Sequence, residues 1–288
     1  MSRELVIEVK GLRKAYGSVT AVDGLDLEMS RGEILAILGP NGSGKTTTVE
    51  ILEGYRRRDA GEARVLGEDP QRAGTAWRAR RGIVLQTNED VADLTVVECV
   101  RHFSLFYPTP ADPEEVIARV GLSAKRKASI RTLSGGQRRR LDVALGIVGQ
   151  PELIFLDEPT TGFDPEARRD FWKLVRGLAK DGASVLLTTH YLEEAEALAD
   201  RVAVIQRGRV VASGAPSELG GRQDAPANVS WFSSTGWVHV ETQEPAALVS
   251  SLYAGFGGEV PGLTVTRPSL EDIYLKMIGA DSEGDESP

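Results

Sequence analysis

The sequence has only one cysteine, Cys99, among its 288 residues. A single thiol excludes a disulfide framework within the chain and removes the basis for a cysteine metal site. It fits a reducing compartment. Basic charge is also in short supply. The 34 Lys and Arg residues stand against 42 Asp and Glu, giving a net charge of −8 and a pI near 5.2. This balance argues against a general nucleic-acid binder, which carries a basic surface, although it allows a local basic patch. No stretch reaches the roughly 18 consecutive apolar residues of a membrane helix. Direct membrane insertion is therefore not expected, and any membrane process served by this chain requires another chain to span the bilayer. The segment Met1 to Lys10 alternates like a strand, carries Glu4 and Glu8, and lacks the apolar centre of a signal peptide. There is no internal repeat.

Hydrophobic residues make up 41% and charged residues 26%, the composition of a globular protein. The length suffices for one large domain with or without a small one. Up to about residue 93, strands alternate with turns: Val6–Val9, Val22–Met29 with the turn pair Asp23-Gly24, the apolar run Ile34–Leu38, and Arg81–Gln86. A run such as Ile34–Leu38 suits a strand buried on both faces. A helix is expected from near Gly44 to Glu53. The stretch from about 94 to 150 reads as helical: one helix to Phe106 stopped by Pro108, a second over Pro113–Val120, and a third capped by Ser134 and ending at Gly149. From about 151 to 213, the apolar runs Leu153–Leu156 and Val185–Leu187 alternate with helices Pro165–Leu178 and Leu192–Ala199. This rhythm predicts an α/β fold with a mainly parallel sheet and the helical stretch inserted as a subdomain. Residues 216–228 read as a polar linker. Residues 229–278 read as a small α+β module with strands at Val229–Phe232, Trp237–Val240 and Leu263–Val265 and helices at Glu244–Tyr253 and Ser269–Ile278. Residues 279–288 form an acidic tail with the composition of a disordered segment.

The strongest chemical signal is the run Gly39-Pro40-Asn41-Gly42-Ser43-Gly44-Lys45-Thr46-Thr47. It satisfies the phosphate-loop pattern of two glycines five apart followed by Lys-Ser/Thr. Glycines let the backbone curl so that successive N–H groups point at phosphate oxygens, and the helix that follows adds its positive end. Lys45 is expected at the β- and γ-phosphates and the Thr46 hydroxyl at Mg²⁺. A second signal is Leu153-Ile154-Phe155-Leu156-Asp157-Glu158. Carboxylates at the end of a buried strand are costly without a cation or a hydrogen-bonding task. Asp157 is placed to hold Mg²⁺ and Glu158 to polarise an attacking water.

Leu133-Ser134-Gly135-Gly136-Gln137 resembles the signature sequence of the ATP-binding cassette (ABC) ATPases. Other motifs of that family appear in the matching order. Tyr16 stands where an aromatic ring stacks on adenine, Gln86 matches the Q-loop, Asp164 in Thr161-Gly162-Phe163-Asp164 the D-loop, and His190 the switch histidine. The resemblance covers residues from about 4 to 215, with Phe163 where many members carry leucine. It implies a P-loop NTPase cassette with a mainly parallel core sheet, an antiparallel β-subdomain and an inserted helical subdomain. It also implies ATP and Mg²⁺ as ligands, the metal being held by Thr46, Gln86 and Asp157. Glu158 would be the general base, His190 the γ-phosphate sensor, and Gln86 the link to a transmembrane partner. Ser134, Gly135, Gly136 and Gln137 would bind the nucleotide held by a second copy of the chain in a head-to-tail dimer, and Asp164 would connect the two sites.

The segments Glu158–Glu166 and Thr189–Glu196, together with Pro268-Ser269-Leu270-Glu271-Asp272-Ile273-Tyr274-Leu275, resemble the subfamily that pairs with a separate ABC-2-type permease and includes daunorubicin-type multidrug exporters. That implies a peripheral subunit on the cytoplasmic face of the cell membrane, working in drug export and antibiotic resistance. The alternatives are a soluble ABC ATPase acting on ribosomes or DNA, and an importer ATPase. Three further readings are structural. Arg138-Arg139-Arg140 reads as exposed faces of the helix after the signature. Trp231, Phe232 and Trp237 read as fillers of a small core, with a binding surface as the alternative. His102 and His239 have no supporting pattern.

Overall fold

The computed structural model describes residues 4–84 and 93–280, and the chain separates into two compact units that meet between Ser213 and Gly214. In chain order the first unit contains β1 (Leu5–Tyr16), β2 (Val19–Ser30), β3 (Ile34–Leu38), α1 (Lys45–Leu52), β4 (Ala60–Val65), α2 (Thr75–Ala79), β5 (Arg81–Val84), α3 (Val96–Ser104), α4 (Pro113–Arg119), α5 (Gly135–Ile147), β6 (Leu153–Asp157), α6 (Pro165–Lys180), β7 (Ser184–Thr188), α7 (Leu192–Leu198), β8 (Arg201–Gln206) and β9 (Arg209–Gly214).

The core sheet runs in the order β5-β6-β7-β3-β8-β9. The pairings β5/β6, β6/β7, β7/β3 and β3/β8 are all parallel. Every residue of β3 and β7 is buried, which explains the apolar runs Ile34–Leu38 and Val185–Leu187: parallel strands are covered on both faces. The register pairs Asp157 with Thr188 and Thr188 with Ile37. The carboxyl ends of β6, β7 and β3 therefore share one edge, where open α/β sheets bind their ligands.

β1 pairs antiparallel with β2 on one side and β4 on the other. Alternate residues of this sheet (Ile7, Val9, Leu25, Leu27, Met29) join Leu35, Ile37, Phe155 and Trp77 in one apolar cluster. Trp77 is fully buried, and its indole N–H donates to the Val65 carbonyl at 2.7 Å, so its polar atom is satisfied. Truncating it to Ala should cost about 3–5 kcal/mol.

The helices between β5 and β6 begin at side-chain caps. Thr95 and Glu98 form a reciprocal capping box, Asp112 caps α4 ahead of Pro113, and Ser134 and Gln137 form a second capping box at α5. These caps satisfy otherwise orphaned N–H groups, which is why the helix starts were readable. The first helix stops at Ser104 rather than Phe106 and the third at Ile147 rather than Gly149. One expectation fails in the run after the signature: Arg139 is only 7% exposed, because it lies on the same α5 face as the buried residues Asp142, Val143 and Gly146.

The second unit contains β10 (Ala227–Ser233), β11 (Gly236–Thr242), α8 (Pro245–Phe256), β12 (Thr264–Thr266) and α9 (Leu270–Ala280), with strands in the order β11-β10-β12. Its core holds Val229, Trp231 and Val260 with Val238, Val240, Leu248 and Leu252 against them. Only Trp231 of the three expected core aromatics lies there. Phe232 and Trp237 are 49% and 58% exposed; they face each other across β10/β11 on the side opposite Val229 and Trp231. The stretch read as a linker, 216–228, is structured. Leu219–Asp224 forms a short 3₁₀ segment with Leu219 buried, Arg222 donates to the Pro268 and Pro216 carbonyls, and β10 begins at Ala227. α9 extends to Ala280, two residues into the expected tail, whose remainder lies outside the described residues.

Candidate nucleotide site

Strand β3 delivers the chain into 39–44 and α1 starts at Lys45. Gly44 has φ 103°, and a Cβ there would stand 2.2 Å from the Ala21 carbonyl oxygen. A Cβ at Gly39 would meet the Ile205 carbonyl at 2.2 Å. The loop is thus clamped between β2 and the end of β8, and only glycine fits at its two ends. Lys45 is 7% exposed, and its Nζ donates to the Gly39 and Pro40 carbonyls at 2.7 and 3.0 Å. Burial pulls its pKa below the ordinary lysine value, against the opposing pull of the Glu158 and Asp157 carboxylates. Those carboxylates are therefore electrostatic neighbours of the loop, as expected from their strand ends. Ser43 Oγ is buried with no hydrogen-bond partner, while Pro40, Asn41, Gly42 and Thr46 are exposed and Thr47 is half-buried.

At the end of β6, the Thr188 hydroxyl donates to Asp157 Oδ1 at 2.5 Å and accepts from the Glu158 N–H at 3.1 Å. The Glu158 N–H also reaches the Thr188 carbonyl at 3.1 Å. Glu158 has φ 42°, a left-handed conformation that costs a non-glycine residue on the order of 1–2 kcal/mol. Its Oε1 lies 3.3 Å from His190 Nδ1, and its Oε2 accepts a long bond from the Thr161 hydroxyl at 3.4 Å. The His190 ring lies against Tyr191 at a tilt, with centroids 4.0 Å apart and 41° between the ring planes.

The remaining expected residues have local partners. Tyr16 ends β1 and pairs with Val19, close along β2 to the Ala21 carbonyl beneath Gly44. It is 41% exposed, with the Arg56 guanidinium 5.2 Å from its ring centroid. The Ser134 hydroxyl accepts from the Gln137 N–H at 3.3 Å, and Gln137 Oε1 accepts from the Ser134 N–H at 3.2 Å. Gly135 is exposed and Gly136 half-buried at the same helix start. Asp164 caps α6 by accepting from the Glu166 and Ala167 N–H groups at 3.0 and 2.9 Å, and Phe163 packs edge-on against Phe171. Gln86 lies outside the described residues. Two residues escaped the sequence reading. Thr188 holds the Asp157 carboxylate and the Glu158 N–H, and Arg139 donates to the carbonyls on either side of Glu158. Thr188 ends a strand that pattern assigns to core packing, and Arg139 belongs to a run that pattern assigns to solvent.

The set fits a triphosphate with a hard divalent cation. A buried lysine, a glycine cradle and an orphaned buried hydroxyl meet a hydroxyl at Thr46 and the carboxylate of Asp157, oxygen ligands of the kind Mg²⁺ takes alongside phosphate oxygens.

A sequence profile described as ABC transporter matches residues 22–161. The daunorubicin resistance ATP-binding protein DrrA3 of Streptomyces coeruleorubidus is 38% identical, over 96% of this chain and 97% of that one. The chain belongs to the ABC transporter family of ATP-binding subunits. A Nod factor export ATP-binding protein I of Ralstonia nicotianae is 37% identical over 96% of this cassette chain and 94% of its own. Among solved structures, the cassette aligns with an ATP-binding subunit of an ABC transporter at TM-score 0.70, 22% identity and 95% and 99% coverage. It also aligns with cbiO1 from Clostridium perfringens, part of an ABC transporter complex, at TM-score 0.68, 28% identity and 75% and 90% coverage. As a member of this family, the cassette binds ATP and hydrolyses it.

Proposed function

We propose that this cassette drives export of drugs or other hydrophobic compounds through a separate permease. The observation that carries this reading is the reach of the likeness: it spans both units, covering 96% of the chain, to proteins of daunorubicin resistance and Nod factor export. No helix among the described residues is long and apolar enough to cross a membrane, in keeping with a peripheral subunit held at the cytoplasmic face by its permease.

In this reading, the loop 39–44 and Lys45 bind the β- and γ-phosphates, and Tyr16 stacks on the adenine. Thr46, Asp157 and Gln86 hold Mg²⁺, which supplies charge neutralisation on the phosphates when bound. Glu158 orients and deprotonates the attacking water, and His190, 3.3 Å from it, senses the γ-phosphate. Ser134, Gly135, Gly136 and Gln137 sit at the positive end of α5 and bind the γ-phosphate of the nucleotide on a second copy. Asp164 carries the state of one site to the other. The test is Glu158→Gln. The variant should bind ATP, lose turnover and accumulate as a dimer on size exclusion; normal hydrolysis would overturn Glu158 as base. For the export assignment, the chain isolated from its native membrane should carry an integral membrane partner and no solute-binding protein. Recovery in a ribosomal fraction would overturn it.

A further inference from the structure

Glu158 holds a backbone conformation that its residue type disfavours, and one guanidinium spans it. Arg139 Nη2 donates to the Asp157 carbonyl at 2.8 Å, and Nε donates to the Pro159 carbonyl at 3.2 Å. The carbonyls of the residues before and after Glu158, which is at φ 42°, are thereby held by a single planar group. Arg139 is 7% exposed and lies beside Asp142, with Nη1 4.0 Å from Oδ2; the buried Glu194 adds to the negative field around it. A buried cation is costly unless its donors are used. Here two of them are spent on the main chain around the general base. Arg139 belongs to α5, the helix capped by Ser134. The start of that helix and the loop after β6 also line one cavity of about 320 Å³, with Gly135, Arg138, Glu158, Thr161, Gly162 and Phe163 in its walls.

We propose that Arg139 is a positioning residue for hydrolysis. It fixes the left-handed backbone of Glu158, and it ties the helix that serves the second copy's nucleotide to the base of this chain's own site. The proposal rests on the reading of Glu158 as the base. A guanidinium reaches both carbonyls because its donors lie in one rigid fork; an ammonium on a flexible stem keeps the charge but cannot span the same two oxygens with fixed geometry. Arg139→Lys should therefore relax Glu158 while leaving Lys45 and its loop untouched.

The experiment measures steady-state hydrolysis by the full chain with Mg-ATP, per folded site titrated with a fluorescent ATP analogue, so that any loss of folded protein drops out. Arg139→Lys should lower kcat about tenfold or more, with KM for ATP and the analogue's Kd within twofold of the parent. In the Glu158→Gln background the same change should leave the residual rate unaltered, because the group it positions is gone. An Arg139→Lys kcat within twofold of the parent, alongside an inactive Glu158→Gln, overturns the proposal alone. So does an equal loss of residual rate in the Glu158→Gln background, which marks a structural role. Normal hydrolysis by Glu158→Gln removes the base and the proposal with it.

Discussion

Gly44→Ala tests how tightly the phosphate loop is built into the sheet. At φ 103°, an alanine is in left-handed space, which costs about 1–2 kcal/mol. Its Cβ would also lie 2.2 Å from the Ala21 carbonyl oxygen. That carbonyl has little freedom to retreat, because the adjoining β2 backbone is pinned by the Asp23 N–H donating to the Gly208 carbonyl at 2.9 Å. Relieving the overlap should cost a further 1–3 kcal/mol, the usual range for overpacking, for a total of about 2–5 kcal/mol. Gly42→Ala is the control: φ is 80° and nothing lies within 4 Å of its Cβ. It carries only the backbone cost of about 1–2 kcal/mol. Urea unfolding of the two variants should therefore differ by about the overpacking cost. Equilibrium binding of a fluorescent ATP analogue should fall much further for Gly44→Ala, whose loop must shift to fold at all. Equal stabilities for the two variants would refute the claim that β2 clamps the loop.

Lys45→Ala should abolish ATP binding in the same fluorescence titration, while chemical denaturation shows little loss, since Lys45 gives up only two carbonyl contacts. Glu53 is pushed up to about 7 by burial, with Arg81 pulling it down in part. A raised carboxylate pKa favours the folded state below the unfolded value of 4.5 and loses that advantage as pH rises to about 7. Stability should therefore fall between those pH values by up to about 3 kcal/mol, and Glu53→Gln should remove this slope in urea midpoints taken at pH 5 and pH 8. Ser134→Asp should keep the α5 cap, since Asp caps as well as Ser, and leave the urea midpoint unchanged. Hydrolysis should nevertheless collapse, because a carboxylate at that helix start repels the second copy's phosphate; full activity would remove Ser134 from the site.

The sequence carried the parts of this fold that announce themselves locally. The parallel strands show as unbroken apolar runs because both of their faces are covered. The helix starts show because Thr95, Asp112, Ser134 and Asp164 are caps as well as sequence signals. β4, with Ala63 and Val65 buried among charged neighbours, is a pattern too short to separate from a loop. The segment 216–228 misled because Gly220 and Gly221 read as a linker, whereas Leu219 is buried and Arg222 anchors it by a contact distant in sequence. Phe232 and Trp237 were read from residue type; which face of β10 and β11 they occupy depends on register, which the strand sequence alone does not fix. Within the site, the loop and the acidic strand end were legible because phosphate chemistry demands those residue types. Arg139 was not, since a run of three arginines on a helix is ordinarily solvated, and only the packing of α5 against β5 turns the middle one inward.

The placement of Thr188 explains why the two carboxylates can take different tasks although they are adjacent in sequence. β7 lies between β6 and β3, so its last residue stands between the acidic strand end and the phosphate loop. One hydroxyl there donates to Asp157 and accepts from the Glu158 N–H. Asp157 remains extended, at the end of its strand with its carboxylate turned to Thr188, while Glu158 is bent into left-handed space and its carboxylate turned to His190. The separation is therefore made within the fold, by the Thr188 hydroxyl and by the bent main chain at Glu158. Donors and acceptors held this way require no reorganisation when charge develops on a phosphate, which is where electrostatic catalysis draws its advantage. His190 follows two residues after β7, so the strand whose Thr188 holds Asp157 and the Glu158 backbone also leads to the proposed sensor, and a shift in β7 would reach both.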